Sequence, residues 1–288
     1  MNFRTPTPFM LASLLVAGSV LPAVAQSSTD EGAILTTLVS KKLPSYVSVR
    51  VLLKTEFRGG GASRDADSRS ELTGVIVDNS GLVMLSNSAL NPNKFFADVF
   101  GGGEEGDDGV KSTPTDFKVV FNGEEKEYSA FLAATDSKLG LAFIKIEKLE
   151  KKQLAPVLFG STNVLTIGQK VAGVSRLSKG FDYAPYFATG RISGAITKPR
   201  KAYVLDGNVG EIGMPVYDMN GEVLGITAII GSGIPGDLMG DSGGMAMRML
   251  GGGSIIKMFV VPAQAVGSVI TQAKLRADKT AALREKKK

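Results

Sequence analysis

Histidine and cysteine are absent from this 288-residue chain, and each absence removes a class of chemistry. Without an imidazole there is no general base for a Ser-His-Asp or Cys-His mechanism. Without a thiol no disulfide can hold the fold, even in an oxidising compartment. With both missing, a zinc site of imidazole and thiolate ligands is excluded as well. Stability must come from apolar burial. After residue 25 no apolar run reaches the roughly 20 residues that a membrane-spanning helix needs.

The first 25 residues do carry a pattern. Arg4 supplies a positive start, residues 9–21 are apolar, and Ala23-Val24-Ala25 is a small-residue cleavage site before Gln26. This predicts a secretory signal, cleaved near Ala25, and a secreted or periplasmic location. The formal charge of +5 is unevenly spread. Residues 274–288 hold seven basic and two acidic side chains, which accounts for the whole excess. The body is near neutral, so nucleic acid is not an expected partner. The tail is expected to be too polar to pack and to touch an anionic surface weakly.

Along the chain, the hydroxyl and acidic residues at 27–31 start a helix that Pro44 ends. Strands are expected at 46–53, 72–77, 82–85, 117–121, 124–132 and 141–146, with a loop at 58–71 and a linker at 147–154. Further strands are expected at 170–174, 186–196, 202–205, 216–226 and 256–261, and Pro262 opens a final helix. Short strands separated by turn signals argue for sandwiches or barrels and not for βαβ units. No repeat of fixed period is visible.

The most informative stretch is 210–226. Its second half reads as a hairpin around Asn220-Gly221, the signature of a type I′ turn, preceded by a Gly-x-x-Gly-x-Pro loop. It resembles the HtrA/Deg branch of the trypsin-like, chymotrypsin-fold serine proteases. That family reads Gly-Asn-Ser-Gly-Gly-Pro, a strand, a tight turn and Glu-Val-Ile-Gly-Ile. Gly210, Gly213, Pro215, Gly221, Glu222, Val223, Gly225 and Ile226 match this frame. Residues 74–84, 136–146, 160–161, 167–171 and 259–262 resemble other family motifs in the same order. The resemblance implies an all-β chain of two six-stranded antiparallel β-barrels with short N- and C-terminal helices. Residues 26–146 would hold the first helix and barrel, 155–262 the second barrel, and 263–288 the last helix and tail. The family's PDZ modules are not expected.

The resemblance also assigns the catalytic positions: histidine falls on Ser88, aspartate on Gly140 and the serine nucleophile on Ile212. None of the three can fill its role. The expectation is therefore a non-enzyme: a pseudoprotease that binds an unidentified protein or peptide, or a scaffold, without cofactor or metal. One string points the other way. Gly240-Asp241-Ser242-Gly243-Gly244 spells the trypsin nucleophile motif, so the alternative is an endopeptidase using Ser242 with a lysine base. The bland reading of Ser242 is a flexible glycine-rich loop. The acidic run at 104–108 lacks the spacing of a known calcium loop and reads as solvated, with Ca²⁺ the sharper alternative. Met245, Met247 and Met249 read as one face of a strand or as an adaptable binding surface.

Overall fold

The computed structural model describes residues 26–59, 62–88, 90–91, 110–122, 124–150, 152–160, 162–230 and 257–286. The signal segment, the acidic run at 104–108, Ser242 and the methionine cluster lie outside these residues.

Twelve strands close into two antiparallel barrels of six. The first contains β1 (Tyr46–Gly59), β2 (Ala62–Asp78), β3 (Leu82–Ser86), β4 (Val110–Phe121), β5 (Glu127–Asp136) and β6 (Leu141–Ile146). Its strands run in the order β1-β2-β3-β6-β5-β4. The second contains β7 (Lys170–Arg176), β8 (Pro185–Ile196), β9 (Ala202–Asp206), β10 (Pro215–Tyr217), β11 (Val223–Ile229) and β12 (Met258–Pro262). Followed round the closed barrel from β7, its order is β7-β8-β9-β12-β11-β10, the same topology again. The repeat that the sequence hides is thus present in the fold. Helices α1 (Gln26–Lys42) and α2 (Ala263–Glu285) stand at the two ends.

Period-two patterning explains the barrel interiors. In β1 the inward residues Val47, Val49, Val51 and Leu53 pack with Ile76, Val83, Phe117, Val119 and Ile144. Val171, Ile192, Leu205, Val216, Leu224 and Val260 fill the second barrel. A third cluster lies between the barrels and under the helices. It joins Tyr46, Val75, Met84, Leu141 and Phe143 to Ala172, Val174, Tyr217, Ile226 and Val261. Strands such as β6 therefore bury one face in a barrel and the other in this seam, which is why Leu141, Ala142, Phe143 and Ile144 are all buried. A near-continuous apolar run is what two buried faces require.

Three expectations need correction. Residues 62–71 are not loop but the outer part of β2, paired with β1 from Gly59↔Ala62 onward. Their backbone completes a ladder while polar side chains such as Asp67, Ser68 and Arg69 stay exposed, so charge did not mean irregular structure. The stretch before β7 is extended, and it buries Val157 and Phe159 in the seam, with Val157 N–H donating to the Ile76 carbonyl at 2.8 Å.

The Asn220-Gly221 turn is not type I′. Only Gly221 has positive φ (+86°), and Gly221 N–H donates to the Asp218 carbonyl at 3.1 Å while Asp218 N–H donates to Glu222 at 2.9 Å. This is a type I turn closed by a left-handed glycine, and it goes with the one-residue register shift between Val216 and Tyr217.

The tail is not too polar to pack. Helix α2 runs on to Glu285 with Ala273 and Ala277 buried. Lys274 Nζ donates to Asp78 Oδ2 at 2.7 Å, Arg284 pairs with Glu147 at 3.0 Å, and the Arg284 guanidinium lies 4.9 Å from the Phe131 ring. Small residues at helical spacing let the helix approach β5 closely; its charges lie on the flanks.

Candidate functional site

Three turns meet where the barrels touch. Strand β3 ends at Ser86, and Asn87 begins a helical turn in which Leu90 N–H and Asn91 N–H donate to the Asn87 carbonyl at 3.1 and 3.0 Å. Ser88 lies in that turn, half-buried, its Oγ 2.7 Å from Ser86 Oγ. The β5–β6 turn is set by Asp136, whose Oδ1 accepts from Leu139 N–H at 2.7 Å. It places Gly140 with its carbonyl accepting from Asn87 N–H at 2.8 Å. Ser88 and Gly140 are thus tied together through buried Asn87.

Ile212 arrives from the other barrel. Its loop is fixed by Thr227 of β11, which is fully buried. Gly213 N–H donates to the Thr227 carbonyl at 2.8 Å, Thr227 N–H donates to the Met214 carbonyl at 2.9 Å, and Thr227 Oγ1 donates to the Glu211 carbonyl. Gly213 has φ +84°, and a Cβ there would stand 3.2 Å from Leu141 Cδ2 and 3.5 Å from Ser86 Cα. The loop thus rests on the end of β3 and the start of β6, a close approach that only glycine permits without displacement. Residues distant in sequence, Ser88, Gly140 and the Ile212–Gly213 step, are brought to one junction. Ile212 itself is half-buried.

The junction also holds groups that the sequence did not single out. Glu211, beside Ile212, accepts a hydrogen bond from Thr73 Oγ1 at 3.1 Å, across the seam. Glu211 is exposed as a residue, but desolvation of its carboxyl raises its pKa, and the Thr73 bond opposes that rise only in part. Behind it Tyr46 and Tyr217, both buried, share a hydroxyl contact of 3.2 Å; burial, then the neighbouring phenol, pushes Tyr46 upward. The signal for Glu211 was its place next to Ile212 in the loop; for Thr73 nothing short of the fold would serve. Gly210 N–H, a donor on the same loop, is engaged by Asn208 Oδ1 at 3.0 Å. Chemically, the junction offers serine and threonine hydroxyls and one carboxyl shifted toward neutrality. Among the described residues no group of three or more Asp, Glu, His or Cys could hold a metal ion.

The sequence model of the trypsin-like peptidase domain matches residues 72–226, more than half of the chain and across both barrels. The chain belongs to that family. It is also similar to a Pseudomonas putida (strain W619) protein described as a probable periplasmic serine endoprotease DegP-like. The two are 24% identical over 257 residues, covering 77% of this chain and 47% of that protein. The chain therefore spans about half the length of this curated relative. These findings overturn the expectation that the chain is not an enzyme. Family and relative are both named for peptidase activity. The residues at Ser88, Gly140 and Ile212 argue against one triad arrangement and do not establish inactivity. Among the described residues, no helix is long and apolar enough to cross a membrane.

Proposed function

We propose that this trypsin-like domain works in the periplasm on extended polypeptide, which it takes at the junction of its two barrels. The observation that carries this is the convergence of the Ser88 turn, the Gly140 turn and the Gly210–Gly213 loop at one place. The relative's name supports the compartment and the class of substrate. Peptide-bond hydrolysis, to which family and relative point, would here draw on groups other than an imidazole. At the junction these are the Glu211 carboxyl, whose pKa desolvation raises, and the hydroxyls around it. Ser242 is the further nucleophile that the sequence offers.

Fluorescein-labelled casein tests both halves of this reading. Anisotropy reports binding and release of small fragments reports cleavage. The expected result is saturable binding by the wild-type chain, weakened at least about tenfold by Gly213→Val, which pushes the loop off β3. Cleavage abolished by Glu211→Gln with binding retained would assign the carboxyl; cleavage abolished by Ser242→Ala would assign that serine. A chain that neither binds nor cleaves casein sinks the proposal.

A further inference from the structure

A second feature of the seam has no part in the junction. Strand β7 ends at Arg176, which lines a cavity of about 50 Å³ with Tyr46, Ser48, Phe121, Asn122, Glu124 and Tyr183. None of Ser88, Gly140, Glu211 or Ile212 lines it. The guanidinium is held on one side only: Nη1 donates to Asn122 Oδ1 and, at 3.5 Å, to the Tyr183 carbonyl. Nε and Nη2 are buried and have no hydrogen-bond partner among the described residues. Burial disfavours the charged form of this arginine, and no acid among the described residues lowers that cost.

The acids nearby are engaged elsewhere. Glu124 pairs with Lys152 and accepts from Tyr128 at 3.4 Å. Glu71 accepts the Tyr183 hydroxyl at 2.8 Å. Nε and Nη2 form one edge of the guanidinium plane, with two parallel N–H vectors spaced to match the two oxygens of a carboxylate. A cavity of this size takes a carboxylate group or a few waters and has no room for a nucleotide. We infer that Arg176 is the anchor of a carboxylate-binding site between the barrels, which takes the C-terminal carboxylate of a polypeptide. The Asn122 side chain fixes the guanidinium, and the edge left without a partner reads the planar anion. This site adjoins the junction through Tyr46 but shares none of Ser88, Gly140, Glu211 or Ile212 with it, and it does not depend on hydrolysis there.

The probe is a fluorescein-labelled pentapeptide with a free C-terminal carboxylate, compared with its C-terminal amide. Wild-type chain should bind the acid at least about tenfold more tightly than the amide. Arg176→Gln should erase the difference, and Arg176→Lys, which keeps charge but loses the fork, should erase most of it. Sodium acetate should raise the wild-type melting temperature and leave Arg176→Gln unmoved. If acetate does this but acid and amide peptides bind alike, the site takes small free carboxylates and the polypeptide part of the inference fails. Without ligand, Arg176→Gln should be as stable as wild type or more so, because it removes an uncompensated charge. A marked fall in its melting temperature, beyond what loss of the two Nη1 bonds explains, would mean that the Nε–Nη2 edge is already satisfied in the folded chain, and the inference would be wrong.

Discussion

The two barrels have one topology but meet their close approaches differently. In the first, the tight glycine is Gly74, where an added Cβ would stand 2.7 Å from Val83 Cγ1 and 2.9 Å from Val49 Cγ2. Those neighbours are methyl groups. In the second, a Cβ at Gly173 would stand 1.6 Å from the Val209 carbonyl oxygen, and one at Gly225 would stand 2.0 Å from that of Val261. Those neighbours are backbone. The first barrel is a long ladder, with β1 and β2 paired over fourteen positions. The second has a three-residue β10 whose loop must be pressed onto the first barrel. One barrel acts as platform, and the other holds backbone against backbone to deliver a loop. Side chains can shift to accept a methyl group more readily than backbone packed into the fold.

The largest test of this contrast is a pair of alanine substitutions. Gly173→Ala should cost about 3 kcal/mol or more, and Gly74→Ala about 1–2 kcal/mol, by denaturant unfolding. Equal losses would break the comparison. Next comes the helix that covers the first barrel. Deleting residues 274–288 removes the burial of Ala277 and the contacts to Asp78, Glu147 and Phe131. The melting temperature should fall by about 5 °C, whereas a solvated tail would leave it unchanged.

The seam itself is probed by Tyr46→Phe, which strands the buried Tyr217 hydroxyl. A loss of about 1 kcal/mol is expected, and an unchanged midpoint would show that the hydroxyl pair does not help to hold the barrels together.

The smallest effect concerns the two Asp-x-x-Gly turns. Asp78 and Asp218 each accept a backbone N–H two residues on, at 2.7 and 2.9 Å, but only Asp78 also meets a helix. Burial would raise its carboxyl; the bonds from Lys274 and Ser80 N–H outweigh that and hold it at about 2. A lowered carboxyl contributes stability above its ordinary value of 3.8, and that contribution is lost as the pH falls toward 2. Asp78→Asn should therefore cost about 1 kcal/mol at pH 7, given the exposure of Lys274, and flatten the decline between pH 4 and 2. Melting curves at pH 2–5 read this directly; a decline as steep in Asp78→Asn as in wild type would exclude the Asp78–Lys274 pair as its source.

Why was the fold legible and the site only in part? Alternating residues in β1 and the Asp-x-x-Gly turns report local geometry, so strands and hairpins could be read from neighbours alone. The type of the 218–221 turn was misread because Asn220-Gly221 fits two turns locally. The slipped register of β10 against β11, which the barrel dictates, selected between them. The tail was misread because Ala273 and Ala277 are weakly apolar, and only a surface at the right distance makes burying them worthwhile.

By itself the sequence determined what chemistry is absent, the imidazole and thiol above all, and where most of the strands and turns lie. It also determined that 88, 140 and 212 would carry a serine, a glycine and an isoleucine. Only the tertiary structure decided that Thr73 bonds Glu211 and that Arg176 is left with an unpaired edge. The physical reason is range. Backbone propensity acts over a few residues, whereas a pKa or an orphaned donor depends on atoms that meet only once both barrels have closed.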